Sequence, residues 1–214
     1  MADVKKTNAA SRRGEITETA TALFLEKGFA GTSMSDLAQA CGIRKASLYH
    51  HFPGKEDLFI ACVTEGYSGA MDEIAQIYAT DAMEDTDKVR ATFDCLYHST
   101  IEAPVGRLSP LIAEVSRSMP NVARSFHNNY IELQRDMVEK IILAGVENGA
   151  FLPQDIDVLL HLIFGPIVTL SLSREMFATF DDIDERYPVQ SLKDGHVDTI
   201  LRILTEPAFA TAQG

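Results

Sequence analysis

The 214-residue sequence lacks the features that mark several classes of protein. Its three cysteines are widely spaced and form no Cys-x-x-Cys pair, so they predict reduced thiols in a cytoplasmic protein rather than a disulfide framework or a zinc site. The longest apolar run, at residues 158–172, has fifteen residues, fewer than the roughly 20 needed to cross a bilayer. No apolar run follows Lys5 and Lys6, so we expect neither a secretory signal nor a membrane partner.

Motifs that carry catalysis are missing as well. The sequence has no Gly-rich phosphate loop, no nucleophile elbow, no His-Glu-x-x-His and no convincing Ser/His/Asp set. The adjacent His50 and His51 would point about 100° apart on a helix and would not easily share an ion. We therefore predict no catalytic residue, no metal site and no cofactor.

Basic residues are a minority overall but not at the start of the chain. The sequence has 19 Lys and Arg against 31 Asp and Glu, which gives a formal net charge of −12. Residues 1–55 carry a net charge of +3, whereas the remaining 159 residues carry −15. A basic segment on an acidic body is typical of a nucleic-acid-binding part, although so small an excess also arises by chance.

Apolar residues recur at helical spacing along the chain, and no segment alternates as a strand would. Ser33 and Asp36 have the spacing of a capping box, which marks a helix start. The predicted helices run from about 11 to 28, 33 to 42, 45 to 51, 55 to 77, 155 to 176 with a kink at Gly165-Pro166, and 196 to 204. The sequence therefore predicts an all-α fold.

The stretch at residues 32–59 has the pattern of a helix-turn-helix. Its two helices need a small residue where they cross, a glycine in the turn and an apolar residue facing inward; Ala38, Gly42 and Leu48 have that spacing. The second helix then presents hydrogen-bonding side chains that suit the major groove, namely Arg44, Lys45, Ser47, Tyr49 and His50. The alternative is a polar helix face that is only solvated.

This stretch resembles the DNA-binding domain of the tetracycline-repressor (TetR) family of transcriptional regulators. The resemblance rests on Gly28, Thr32-Ser33, Cys41-Gly42-Ile43, SLYHHF at 47–52 and GKEDLF at 54–59. It implies a DNA-binding domain at residues 10–70, with the helix-turn-helix at about 33–52. It also implies that residues 71–214 form a helical ligand-binding and dimerisation domain.

The resemblance implies a set of DNA contacts: Thr32, Ser33, Arg44, Lys45, Ala46, Ser47, Tyr49, His50 and Lys55. Thr32, Ser33 and Lys55 stand at helix starts, where a phosphate can bind. Tyr49 and His50 would contact the sugar-phosphate backbone, and the four residues before Leu48 would read bases. These contacts would be made with double-stranded DNA, which is therefore the partner that we expect.

The body of the chain offers candidates for a small-molecule site and for a dimer interface. Aromatic and histidine side chains at helical spacing are candidate cavity residues, namely Phe93, Tyr97, His98, Phe126, His127, Tyr130, His161 and Phe164. The same spacing also arises in a plain core. The helices at about 155–176 and 196–204 have apolar residues nearly all round, which predicts that they form a dimer seam; the alternative is that they are internal core helices.

Together these patterns predict a homodimeric, sequence-specific regulator that binds a palindromic operator, most simply a repressor released by an unidentified small-molecule effector. The alternatives are a constitutive DNA-binding protein and an enzyme with an appended helix-turn-helix. Arg12 and Arg13, on the first helix, either reach DNA or are solvated. The predicted helix from Lys55 to Ile77 would connect the DNA-binding part with the ligand cavity.

Overall fold

The computed structural model describes residues 2–207, with side chains from residue 12 onward, and this part of the chain contains helices and no strand. The all-α prediction is therefore confirmed. The helices are α1 (Ala2–Gly31), α2 (Met34–Ala40), α3 (Lys45–His51), α4 (Lys55–Gly66), α5 (Ser68–Ala79), α6 (Asp85–Tyr97), α7 (Ser109–Val115), α8 (Pro120–Phe126), α9 (Glu132–Glu147), α10 (Ile156–Met176), α11 (Ile183–Arg186) and α12 (Val189–Thr205). Two π-helical turns, His98–Glu102 and His127–Ile131, follow α6 and α8.

The chain forms two compact units that no single cut in the sequence separates. Of the described residues, the first unit contains those up to Ser68 together with Arg107–Tyr130, and the second contains Gly69–Gly106 and those from Ile131 to residue 207. The segment Arg107–Tyr130 belongs to the first unit because the Tyr130 ring stacks on Tyr67, with 3.7 Å between centroids. The functional domains predicted at 10–70 and 71–214 stay a prediction.

Packed aromatic rings, one pair stacked and one pair edge to face, form part of the core of the first unit. The Phe24 ring lies 5.0 Å from Phe59 and 5.8 Å from Phe29, centroid to centroid. Gly28 has a φ of 71°, a conformation that glycine adopts without strain, and it interrupts α1 just before Phe29. The interruption falls at the predicted end of the first helix, whereas the helix itself begins earlier than predicted.

The predicted helix at 55–77 is two helices, so a single continuous helix there is wrong. α4 ends at Gly66, and Tyr67, with φ −94° and ψ −5°, separates it from α5. The hydroxyl of Ser68 donates to the carbonyl of Glu65 at 2.7 Å and so satisfies one of the last carbonyls of α4. The helix predicted to connect the DNA-binding part with the ligand cavity is therefore interrupted at Tyr67.

The second unit buries one face of each of four helices, α6, α9, α10 and α12. Its core includes Phe93, Leu96, Ile141, Ile163, Ile200 and Leu204. Gly145 is required on α9, because any side chain there would collide with the buried ring of Phe151. α12 is amphipathic: Asp198, Thr199 and Arg202 are exposed. The prediction that residues 196–204 are apolar nearly all round is therefore wrong.

α10 is 21 residues long, which is enough to span a bilayer, so the prediction that this segment is too short is wrong. Within the described residues it is the one helix long and apolar enough to cross a membrane by those two criteria. One of its faces, with Leu159, Ile163 and Ile167, is buried in the core of the second unit. A core helix of this kind meets the same criteria without crossing a membrane.

Pro166 lies inside α10 and leaves one backbone carbonyl without its helical partner. Proline has no N–H, so the carbonyl of Leu162, four residues earlier, loses its usual donor. Nε2 of His196, on α12, lies 2.9 Å from this oxygen. Because a carbonyl only accepts, Nε2 carries the proton, and Nδ1 accepts from the hydroxyl of Tyr97 at 3.0 Å. These two hydrogen bonds connect α6, α12 and α10.

We expect the stability of the second unit to depend on the neutral form of His196. Burial lowers the pKa of His196 below its ordinary value of 6.5. Between the folded and unfolded pKa values the unfolded chain binds more protons, so stability falls as the pH drops below about 6.5. His196→Gln should flatten this dependence in thermal unfolding, and His196→Leu should cost about 1–3 kcal/mol because it leaves two polar groups unpaired.

The matched control is His127→Gln, which replaces an exposed histidine of the first unit. It should leave the pH dependence as it is in the unaltered protein. If the stability of the His196→Gln protein kept the original pH dependence, that dependence would not come from His196.

Candidate nucleic-acid interface

α2 begins at the predicted capping box. The Ser33 hydroxyl accepts from the Asp36 amide at 3.2 Å and donates to the Asp36 carboxylate at 2.6 Å, and that carboxylate accepts from the Ser33 amide at 3.0 Å. These hydrogen bonds lower the pKa of the Asp36 carboxyl. The predicted helix start is confirmed, and the first turn of α2 is well anchored.

The turn after α2 has the features that the Ala-Gly-Leu spacing predicts. Gly42 has a φ of 62°, in the left-handed region that favours glycine. The Ile43 amide then donates to the Ala38 carbonyl at 3.0 Å, which closes the turn against α2. Ala38 and Leu48 are both buried. The apolar side of α3 is thereby packed inward.

α3 presents one buried position and a broad exposed face. Leu48 is buried, whereas the residues predicted to meet DNA around it are exposed, namely Arg44, Lys45, Ala46, Ser47, Tyr49 and His50. Within the described residues, the side chains of Arg44, Lys45, Ser47 and Tyr49 form no hydrogen bond or ion pair. Their donors and acceptors therefore remain available to base edges and phosphates. The predicted bounds of this helix are confirmed.

Thr32 and Ser33, predicted to hold a phosphate, are engaged within the protein. Thr32 is only 2% exposed, and its hydroxyl donates to the Gly28 carbonyl at 2.7 Å. The Ser33 hydroxyl is used in the capping box with Asp36. Their phosphate contacts stay a prediction, and any phosphate bound by the Ser33 hydroxyl would have to displace a carboxylate.

Lys55 also has internal partners. Its ammonium donates to the carbonyls of Phe29 at 2.7 Å and Thr32 at 2.8 Å, and it lies 4.2 Å from the centroid of the Phe29 ring. Desolvation lowers the pKa of this amine. Lys55 therefore ties the start of α4 to the end of α1, a role that sequence reasoning missed. Its phosphate contact stays a prediction.

The side chains predicted to line a ligand cavity are distributed over both units. Phe126 and Tyr130 belong to the first unit, where both pack against Tyr67. His127 and His161 are exposed. His98 is exposed too, and it pairs with a carboxylate one turn later in the same segment.

Three of the predicted cavity residues contribute to the interior of the second unit. The rings of Phe93 and Tyr97 are buried side by side, with 6.5 Å between centroids. Both contact the ring of His196, which sequence reasoning missed. Phe164 is partly buried against the same core. Whether they contact an effector stays a prediction.

Known proteins match this chain in sequence. The family profile "Bacterial regulatory proteins, tetR family" matches residues 16–62, which include α2 and α3. The HTH-type transcriptional repressor KstR2 of Mycobacterium tuberculosis (strain ATCC 25618 / H37Rv) is 31% identical over 157 residues, 72% of this chain and 76% of the relative. The chain belongs to the TetR family. This TetR-family protein is accordingly a DNA-binding transcriptional regulator, and the role of α3 as its recognition helix stays a prediction.

Solved structures show that the fold is shared beyond the DNA-binding part. A protein of Mesorhizobium loti MAFF303099, classed with TetR-family regulators, superimposes with a TM-score of 0.76 at 23% identity, covering 92% of this chain and 98% of that one. FadR of Bacillus subtilis, in complex with stearoyl-CoA, gives a TM-score of 0.72 at 16% identity, covering 87% and 96%. At these identities the likeness concerns the fold alone.

We expect Lys45 and Ser47 to determine base preference. Replacing either with Ala should change the preferred base at one position in each half-site, with a cost of about 1–3 kcal/mol for a good contact. Selection from DNA randomised over the operator measures this directly. Tyr49→Phe, which removes only a hydroxyl, is the control and should weaken all sequences alike. An unchanged preference in Lys45→Ala would remove its base-reading role.

We expect Lys55→Met to destabilise the first unit. The change removes two charge-assisted hydrogen bonds from a partly exposed group, so a loss of about 1–2 kcal/mol in thermal unfolding is expected. An unaltered melting temperature would contradict the tie between α4 and α1. The slope of log affinity against log salt is a separate measurement, because a phosphate contact by Lys55 predicts a decrease of about one unit.

Proposed function

We propose that this TetR-family regulator is a homodimeric repressor that binds a palindromic operator and is released from it by a small-molecule effector. The observation that carries the proposal is the exposed polar face of α3, held outward by the burial of Leu48. In a two-fold dimer, each α3 would occupy a major groove, with half-sites about 34–36 Å apart.

The dimer part of the proposal rests on the outer face of α10. Its large apolar side chains are between 45% and 65% exposed, namely Val158, Leu162, Val168, Leu172 and Met176. Several large apolar side chains exposed on one side of a helix whose other side is buried in a core mark an interaction site. A second copy is the occupant we propose, because a palindromic site needs a two-fold pair. α12 contributes less, since its exposed side is largely polar.

The effector part of the proposal assigns sensing to the second unit, with its buried Phe93 and Tyr97. Acyl-CoA thioesters are the first class to test, because a protein with the same fold, FadR of Bacillus subtilis, is bound to stearoyl-CoA. An effector can shift DNA binding only by its different affinity for the two states. Such coupling is typically about 1–3 kcal/mol, or 5- to 150-fold, and it is reciprocal.

Footprinting of the promoter region beside the gene tests the operator. The unaltered protein should protect a palindrome, and Lys45→Ala/Tyr49→Ala should abolish protection. Lys140→Ala, an exposed lysine on α9, is the charge-matched control and should not. Light scattering should give about twice 23.6 kDa, and Leu172→Asp should give the monomer. A monomeric unaltered protein at micromolar concentration would refute the dimer.

Titration of stearoyl-CoA into free and operator-bound protein tests sensing. A weaker affinity in the bound protein, matched by an equal loss of operator affinity in the presence of stearoyl-CoA, is the expected result. Binding with equal affinities in the two titrations would favour a constitutive DNA-binding protein. If stearoyl-CoA does not bind at all, acyl-CoA as the effector class is wrong.

A further inference from the structure

Two neighbouring arginines on α1 reach the two helices of the helix-turn-helix. Nη2 of Arg12 donates to the carbonyl of Cys41 at 3.1 Å, and Nη1 of Arg13 donates to the carbonyl of His51 at 3.1 Å. Cys41 caps the C-terminal end of α2, and His51 is the last residue of α3. Each arginine therefore binds the C-terminal end of a different helix.

Carbonyls at these positions need donors from outside their helix. The last carbonyls of any α-helix have no partner within it, and they form the negative end of the helix dipole. A guanidinium donates a hydrogen bond to such a carbonyl and also places a positive charge at the negative end of the helix dipole. In α2 and α3, with seven residues each, the end carbonyls are a large share of the backbone.

Arg13 has further partners, which set its orientation. Its Nε donates to a carboxylate oxygen of Glu65, on α4, at 2.7 Å. Its guanidinium lies 4.2 Å from the centroid of the Phe52 ring, immediately after α3. The planar guanidinium can serve a carbonyl, a carboxylate and a ring face together, which the ammonium of a lysine does less well. Arg13 thus connects α1, α3 and α4.

Each of the two arginine side chains is 41% exposed, and the N–H groups named above donate to acceptors within the protein. Arg12 also pairs with Glu15, on its own helix, at 2.5 Å. Of its five N–H donors, each guanidinium uses two on acceptors within the protein, which neither of the alternatives left by the sequence, contact with DNA or simple solvation, accounts for. The observed contacts favour a different role from either.

We propose that Arg12 and Arg13 are positioning residues that orient α2 and α3 for DNA reading and do not themselves contact DNA. The proposal rests on the DNA-binding function. The N-terminal end of α3 is held by the closed turn at Gly42 and Ile43, and its C-terminal end is held by Arg13 and by the burial of Phe52. Loss of Arg13 frees the C-terminal end of the recognition helix.

Specific and non-specific DNA binding should respond differently to this loss. Non-specific affinity depends on the number of phosphates that basic side chains neutralise, whereas specific affinity depends on the placement of α3 against base edges. A positioning residue therefore lowers operator affinity and leaves the salt dependence intact. A phosphate contact lowers both affinities and the salt slope.

The decisive variants are Arg13→Gln and Glu65→Gln, measured against operator and random DNA at several salt concentrations. We expect Arg13→Gln to weaken operator binding by about tenfold or more, the factor that one lost charge-assisted hydrogen bond corresponds to. Random-DNA affinity and the salt slope should stay unchanged. Arg13→Lys should not restore operator affinity, since it keeps the charge but loses the planar group.

Glu65→Gln separates the two explanations without altering any basic residue. If Arg13 acts by position, loss of its carboxylate partner lowers the ratio of operator to random-DNA affinity. If Arg13 contacts DNA, the same change releases its guanidinium and strengthens binding. Arg12→Gln should likewise lower the ratio, and Lys27→Gln, an exposed lysine on the same helix, should not.

Two results would overturn the proposal. One is a fall in the salt slope by about one unit in Arg13→Gln with equal losses on operator and random DNA. The other is unchanged amide hydrogen exchange in residues 48–52 of that variant, because a freed helix end must exchange faster. Failure of the unaltered protein to bind any operator would instead refute the proposed function. The exchange measurement needs no DNA.

Discussion

The helix α3, which we expect to read DNA, has seven residues, and a helix of that length is not stable in water without tertiary contacts. Every exposed side chain on it is useful only if the backbone beneath keeps one orientation. That orientation depends on the burial of Leu48 beside α2, the closed turn at Gly42, and the arginine at the C-terminal end. The orientation of the exposed face of α3 therefore depends on the contacts that its buried side makes.

Local signals made the helix-turn-helix predictable. The capping box is determined by two residues within about one helical turn, Ser33 and Asp36. The spacing of a short motif predicts the left-handed Gly42 and the buried Leu48. α2 and α3 could be placed from the sequence for that reason. The exposed side chains of α3 followed from the position of its one buried residue.

Contacts between residues far apart in the chain could not be predicted from the sequence. The break at Tyr67 comes with stacking on Tyr130, sixty-three residues later in the chain. Lys55 and Arg13 each donate to a backbone carbonyl, 26 and 38 residues away respectively, and a carbonyl leaves no mark in the residue type. For His196 one signal existed, because Pro166 must leave a carbonyl without a donor. The sequence did not indicate which side chain supplies the replacement.

The hydrogen bond from His196 to the Leu162 carbonyl has a consequence for the packing of α10 against α12. Apolar faces of two helices can pack in several registers, because one leucine contact substitutes well for another. The imidazole of His196 has two nitrogens with opposite hydrogen-bonding roles, which must meet the carbonyl of Leu162 and the hydroxyl of Tyr97 at once. A slip of α12 by one turn would leave both groups without His196 as their partner. The proline that weakens α10 thereby gives the surrounding helices a single register.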